Sequence, residues 1–431
     1  MPALTPLDPW IAVRLGCASP VTRTSLDAWQ AARLRETVAR AQAASPFYAA
    51  HLAGMDAASL ASPAHVANLP LMTEDTLRRE GQRLLCVPQD AVARVVSLRS
   101  SGTTGPAKRL CFSDADLELT MDFFAHGMTT FTRPGQTVCI LLPGQSPDSV
   151  GDLLARALAR FGARGVIHGL APDPAEAVRV AAACRAGVIV GFPVQVLAMA
   201  RLAEASRTRL APTAVLLCSD YVPRAVEREV DRIWGCPVHS HWGTVETGLG
   251  GGVSCAARDG CHLREADLLV EVLAPDNTPL PDGAWGELAI TTLTRRAMPL
   301  IRYRTGDLGR VLPGPCACGS AVRRLDRVQG RLAQAVPMPG AATLTMPLLD
   351  EALLPVPGVL DVRASLSGHN GNRCLHAALA TLPGCEDAAR RAARDALAAL
   401  PSCAGLSLDI TTLPWTEPGI SPAKRTLRRE P

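Results

Sequence analysis

The sequence lacks an excess of either charge: 44 basic residues are interspersed with 40 acidic ones, for a formal net charge of +4. No basic stripe gathers them, so neither nucleic acid nor an anionic membrane is expected as a partner. Long apolar runs are missing too. The most hydrophobic stretch, Ala186 to Ala200, is interrupted by Gly187, Pro193 and Gln195 and is too short to span a bilayer, and no charged-then-apolar signal segment opens the chain. Cytoplasmic residence is the expectation. Aromatic residues reach only 4%, so the 48% hydrophobic content rests on aliphatic side chains. Repeats and long low-complexity tracts are absent, and the composition is that of a folded, soluble chain.

What the sequence does have is length. At 431 residues it exceeds what one core usually organises, which implies a large domain with subdomains plus a smaller unit. From Thr137 to Ser240, short β-type runs (138–142, 165–168, 187–191, 214–218, 237–240) alternate with helix-like segments, the pattern of a parallel sheet flanked by helices. Ser113 with Asp116 predicts a capping box opening a helix whose Leu117, Met121, Phe124 and Met128 share a core face. Beyond Gly248–Gly252, separated runs at 268–273 and 287–293 suggest an antiparallel subdomain. After Gly330-Arg331, strand-like runs at 360–366 and 406–412 flank an Ala-rich helix at 387–400. The expected fold is α/β: a multi-subdomain N-terminal domain over 1–330 and a small, mobile α+β domain over 331–431.

Fourteen cysteines in a small secreted chain would mean disulfides, but most here sit singly in apolar runs, as Cys139, Cys184 and Cys218 do, and read as thiols. Cys255, Cys261, Cys316 and Cys318 fall instead in Gly- and Pro-rich sequence near His262.

The strongest local signal is the run Ser100, Ser101, Gly102, Thr103, Thr104, Gly105, followed by Lys108, after the β-type run 94–98. Glycines let backbone N–H groups approach phosphate, hydroxyls add donors and the lysine adds charge; the spacing is not that of a Walker loop.

This run resembles the phosphate loop of the acyl-adenylate-forming superfamily, and its surroundings are similar to the phenylacetate–CoA ligase branch. Ser45-Pro46-Phe47-Tyr48, Leu69-Pro70-Leu71 and the segment Ala297 to Asp307 carry the likeness over nearly the whole chain. The resemblance implies ATP, Mg²⁺ and coenzyme A as cofactors or cosubstrates, with a small carboxylate as substrate. It also implies roles: Trp242 against adenine in Trp242-Gly243-Thr244-Val245-Glu246, Glu246 as the magnesium ligand, Asp220 near adenine, Asp307 on the ribose hydroxyls and Arg331 on ribose or phosphate. Lys424 matches the lysine that reaches the substrate carboxylate and α-phosphate, with Arg425 competing for that place. Valine at 245, Ala333 and Ala423 depart from the family pattern. The acyl pocket is expected around Phe124, Gly191-Phe192-Pro193 and Ser219-Asp220-Tyr221.

Many members of the branch also carry a Cys-x6-His element and a later Cys-x-Cys-Gly. Here these are Cys255, His262, Cys316 and Cys318, a donor set for structural Zn²⁺, with Cys261 an alternative to Cys255. Some relatives are dimers, and a homodimer is left open. The implied activity is activation of a carboxylate as acyl-AMP and transfer to coenzyme A. Adenylylation of a deazaflavin-type acceptor, or a nucleotide-binding accessory role without catalysis, are the other readings.

Overall fold

Five of the short apolar runs do form parallel strands, each one residue or so from where the sequence places it: Thr137–Leu141, Arg164–Ile167, Val188–Gly191, Ala214–Leu217 and Val238–Trp242. The computed structural model describes residues 2–98, 107–339, 342–368, 373–416, 419–421 and 425–429. The run Ser100 to Gly105 and Lys424 lie outside the described residues.

The chain divides into two compact units. One comprises Met1–Thr130, Arg156–Arg160 and His241–Val328; the other comprises Phe131–Ala155, Phe161–Ser240 and Gln329–Pro431. In the second unit, Thr137–Leu141 lies between Arg164–Ile167 and Val188–Gly191, and Ala214–Leu217 follows on the same side. The chain therefore reverses its direction of travel across the sheet beside Thr137–Leu141, the place where parallel α/β sheets open a crevice at their carboxyl ends. Gly191-Phe192-Pro193 and Cys218 to Tyr221 leave the sheet at those ends, joined by a hydrogen bond from the Cys218 amide to the Gly191 carbonyl at 3.1 Å.

The same unit holds the C-terminal sheet, ordered Ser407–Pro414, Cys374–Thr381, Val359–Ser367 and Arg428–Arg429, with helices Met346–Leu353 and Glu386–Ala398. Its strands and the parallel layer contribute to one apolar core, in which Val196, Leu197 and Val226 lie with Leu349, Leu360 and Leu379. Buried Arg201 donates to the carbonyls of Val356 and Val359, so the contact is polar as well as apolar.

In the first unit, Ser113 and Asp116 make both halves of the expected capping box, and the helix Asp114–Met128 buries Leu117, Met121, Phe124 and Met128. Asp116 does more than cap. Its carboxylate also accepts from the amides of Arg296 at 2.7 Å and Ala297 at 3.0 Å. The antiparallel subdomain is Leu268–Leu273, Gly286–Thr292 and Tyr303–Gly309.

Two N-terminal motifs hold the segment that leads into the last of these strands. Fully buried Tyr48 donates its hydroxyl to the Pro299 carbonyl at 2.8 Å and accepts from the Ile301 amide at 3.1 Å. Met72, just after Leu69-Pro70-Leu71, exchanges backbone bonds with Arg302 and Arg304 like an added strand. Among the described residues, no helix is long and apolar enough to cross a membrane.

Candidate active site and metal cluster

Glu246 ends a loop that folds back immediately after the strand Val238–Trp242. The loop is held by Thr244 and Thr247, each of whose amides meets the other's hydroxyl, at 3.0 and 3.4 Å, and by the Thr120 hydroxyl donating to the Gly248 carbonyl at 2.9 Å. Returning glycines make room for aromatic rings. A Cβ on Gly251 would lie 2.4 Å from the Trp242 ring, and one on Gly250 would lie 2.5 Å from Phe123. The Gly248–Gly252 stretch is thus a packing requirement of Trp242 and the helix Asp114–Met128, and Trp242 itself is buried with its indole N–H unpartnered among the described residues.

The Glu246 carboxylate is buried and forms an ion pair with the buried ammonium of Lys108. Burial works to raise its pKa, but the Lys108 charge and hydrogen bond outweigh it and hold the group below the ordinary carboxylate range. Lys108 opens the strand Lys108–Phe112, so two of the residues singled out in the sequence, Lys108 and Glu246, meet in one place. Two further residues belong to this group. Tyr303 donates its hydroxyl to Glu246 at 3.3 Å, and Glu74 approaches the Lys108 ammonium at 3.6 Å.

Sequence reasoning passed over Tyr303 and Glu74. For Tyr303 a signal was present: residues four apart in a strand share a face, so Tyr303 shares the face of Asp307, and the structure buries that face. Another signal is compositional. Only two of the 44 basic residues are lysines, Lys108 and Lys424. In a chain that otherwise carries its positive charge on arginine, a compact ammonium kept at two positions points to the two sites that need one.

Asp307 is buried in the first unit, and its amide is bonded to the Thr305 hydroxyl at 3.1 Å. Asp220 and Arg331 belong to the second unit. Asp220 accepts from its neighbour Tyr221 at 2.9 Å and from the Arg425 amide at 3.2 Å, while Arg331 is half-buried and caps a short 3₁₀ turn. Gly243 and Thr244 lie in the Trp242 loop, where a Cβ on Gly243 would come within 2.7 Å of both the His241 ring and the Leu249 carbonyl.

His241 packs against Phe123 and Phe124, with ring centroids 6.1 and 6.2 Å away. Its Nε2 is enclosed and meets no partner among the described residues, and burial lowers its pKa to about 4, so the ring is neutral at physiological pH. The sign of the consequence is fixed. Between pH 6.5 and about 4 the unfolded chain binds a proton at this residue and the folded chain does not, so stability falls as pH drops through that window. Urea titrations from pH 7 to 4 should show this loss, and His241→Gln should flatten it; an unchanged slope would assign the loss to another group.

Cys255, His262, Cys316 and Cys318 converge, all buried, with their ligand atoms within 4.8 Å of one another. Cys255 and Cys316 sulfurs are 3.7 Å apart, and Cys318 Sγ lies 3.4 Å from His262 Nε2. These are not disulfide distances, but they match the edges of a tetrahedron whose metal–sulfur bonds are about 2.3 Å, for which two sulfurs stand about 3.8 Å apart. The remaining ring nitrogen, Nδ1, is bonded to the Val322 carbonyl at 3.0 Å, which turns Nε2 toward the sulfurs. Burial opposes ionisation of Cys318, yet its hydrogen bond to His262 lowers the thiol to about 6. Cys261, the alternative ligand, stays outside the cluster: it precedes His262 on the strand Cys261–Leu263, and successive strand residues point to opposite faces.

No family model matches the chain. It is 30% identical over 326 residues to the phenylacetate–coenzyme A ligase of Thermus thermophilus, covering 72% of this chain and 71% of that one. With the enzyme of the same name from Aromatoleum evansii it shares 28% identity over 336 residues, 73% of each chain. Among solved structures, 2-hydroxyisobutyryl-CoA ligase in its postadenylation state superimposes with a TM-score of 0.77 over 93% of this chain and 89% of that one, at 20% identity. The chain belongs to the phenylacetate–coenzyme A ligase branch of the adenylate-forming superfamily, the AMP-forming acyl-CoA ligases.

Proposed function

We propose that the chain activates an aryl or short acyl carboxylate with ATP and passes the acyl group to coenzyme A, with Glu246, Lys108 and Lys424 as its charged machinery. The observation that carries this reading is the buried Lys108–Glu246–Tyr303 group, whose carboxylate sits on the loop that follows Trp242. A buried carboxylate held below its ordinary range by an ammonium is a fitting ligand for a hard divalent cation. Magnesium bound there would neutralise phosphate charge as pyrophosphate leaves.

In the first half-reaction a carboxylate oxygen attacks the α-phosphorus and pyrophosphate departs. In the second the coenzyme A thiol loses its proton, the sulfur attacks the acyl carbonyl, and AMP departs with the bonding electron pair. In this reading Lys108, with Ser100, Ser101, Gly102, Thr103, Thr104 and Gly105, orients the phosphates; Trp242 lies against adenine with Asp220 near it, Gly243 and Thr244 belong to the same nucleotide-binding element, Asp307 takes the ribose hydroxyls and Arg331 the ribose or phosphate. Lys424 neutralises charge at the reacting carboxylate. Positioning and electrostatics account for the rate, because the chain supplies no covalent nucleophile in this scheme. A division at 330/331 would let the lysine-bearing domain withdraw between the steps. The Cys255, His262, Cys316 and Cys318 set fits structural zinc, since four protein ligands leave no open position for chemistry.

The test is ATP–pyrophosphate exchange across a panel of aryl, arylalkyl and short aliphatic acids, followed by addition of coenzyme A and mass spectrometry of the products. Acid-stimulated exchange chased to a thioester is expected. Exchange without a thioester would replace the acceptor, and ATP binding without exchange would replace the reading by an accessory role.

A further inference from the structure

Arg425 follows Lys424 directly and is buried among carboxylates, with Nε and Nη1 held at ion-pair distance and without a hydrogen-bond partner among the described residues. Its guanidinium meets three carboxylates: Nη2 lies 2.6 Å from Asp350, Nη1 3.5 Å from Asp361 and Nε 4.0 Å from Asp220, while its amide donates to Asp220 at 3.2 Å. Arg425, Asp350 and Asp361 are almost wholly buried. The three acids come from three elements, the helix Met346–Leu353, the strand Val359–Ser367 and the loop after Ala214–Leu217. So much negative charge around one cation is more than neutralisation requires. Burial, the largest cause, raises Asp350 to about 8 against the lowering pull of Arg425, and Asp220 and Asp361 add to the rise.

The chain is pinned on the other side of Lys424 as well. The Ser421 amide and hydroxyl both donate to Asp361, at 2.8 and 2.6 Å, the Ser421 carbonyl accepts from Gln195 at 2.9 Å, and the Ile420 amide donates to the Pro172 carbonyl at 2.9 Å. Asp361 therefore touches Ser421 before Lys424 and Arg425 after it.

We propose that Arg425 is a positioning residue: with Asp350 and Asp361 it forms a charge latch that ties the lysine-bearing segment to Asp220 on the nucleotide-side loop and so places Lys424 for adenylation. This rests on the ligase reading above. The contacts have an asymmetry suited to a latch. Asp350 and Asp361 lie on the same C-terminal stretch as Arg425, and Asp220 holds it from the parallel layer by one amide bond and a 4.0 Å ion pair, the weakest of the set. The strong pairs keep the segment's shape, and the weak one is the place to part. A guanidinium so engaged cannot also reach a phosphate, which removes Arg425 as the competitor of Lys424.

The experiment compares Arg425→Met with the double variant Arg425→Met/Asp350→Leu, in which packing replaces the buried pair and recovers stability. In both, exchange kcat should fall about 10–100-fold with KM for ATP changed less than about threefold, while thioester formation from supplied acyl-adenylate stays within about twofold of the parent. If the double variant regains exchange together with its melting temperature, Arg425 is structural only and the proposal is overturned, as it is if both half-reactions fall alike. Should the parent chain show no exchange with any acid, the ligase reading fails separately. The latch is then decided by hydrogen exchange at the Ile420 and Ser421 amides in Arg425→Lys: at least a tenfold loss of protection supports it, and unchanged protection sinks it.

Discussion

Replacing Glu246 by glutamine is expected to lower ATP–pyrophosphate exchange by at least about 10³-fold, the scale on which a carboxylate that both binds a cation and organises phosphate charge contributes to a transition state. The substitution preserves shape and removes charge, and the structure says where the consequence falls. Lys108 would remain buried with its ammonium facing a neutral amide, and the loss of one partner from a buried pair costs about 3–5 kcal/mol. Glu74 softens that cost, because it stands 3.6 Å from the same ammonium and is only partly covered. We therefore expect about 2–3 kcal/mol of lost stability in denaturant titrations, alongside the much larger loss of exchange. The two effects separate in the double variant Lys108→Met/Glu246→Gln, which removes both charges. Stability should return in part and exchange should not. Restored exchange in that double variant would mean that Glu246 serves only to neutralise Lys108.

Much of this arrangement was legible before any coordinates. The alternation of short apolar runs with helical segments located the parallel strands because a central strand, covered on both faces, must be continuously apolar, and Val188–Gly191 and Ala214–Leu217 are buried at every position. The capping box at Ser113 was legible because its chemistry is local. The strand Cys374–Thr381 was missed for the opposite reason. Its residues, including Ala377, Ala378 and Ala380, favour helix, and only pairing with a strand on each side, antiparallel to Val359–Ser367 and parallel to Ser407–Pro414, makes it a strand. No local signal carries that. The short helix Met346–Leu353 had one, Thr345 as its cap with Pro347 in its first turn.

The candidate site divides along the same line. Cys255, His262, Cys316 and Cys318 were named as a set from spacing and resemblance, and the structure brings all four together. Spacing alone could not choose between Cys255 and Cys261; strand alternation around His262 does. The motif Ser45-Pro46-Phe47-Tyr48 was recognisable as a family feature with no function attached. The tyrosine hydroxyl bridging Pro299 and Ile301 gives one: it fixes the run that delivers Tyr303 to Glu246. Interactions of this kind join residues more than two hundred positions apart, and nothing in a local pattern announces them.

Cys316→Ser should have the second large effect, on metal content and thermal stability instead of chemistry. The parent chain is expected to hold about one zinc per chain, and the variant less than about 0.2 by elemental analysis. Folding energy is the reason to expect more than a stoichiometric change. The cluster joins the turn at Cys255 to the Cys316–Cys318 loop across 61 positions of sequence, and Ser320 beside it donates to Asp8 near the N-terminus at 2.5 Å. Loss of the metal leaves three buried donors without their common partner and frees both loops. If that costs about 5 kcal/mol, the melting temperature falls by about 10–20 °C for a unit of this size. Because all four ligands are protein side chains, exchange activity measured at 20 °C in the folded variant should stay within about threefold of the parent. Cys261→Ser, one residue from His262 but on the other face of its strand, should keep both the zinc and the melting temperature. Zinc retained in Cys316→Ser, or lost in Cys261→Ser, would reject this ligand set; a collapse of activity in the folded, cold variant would mean that the cluster takes part in positioning the loop that carries Glu246.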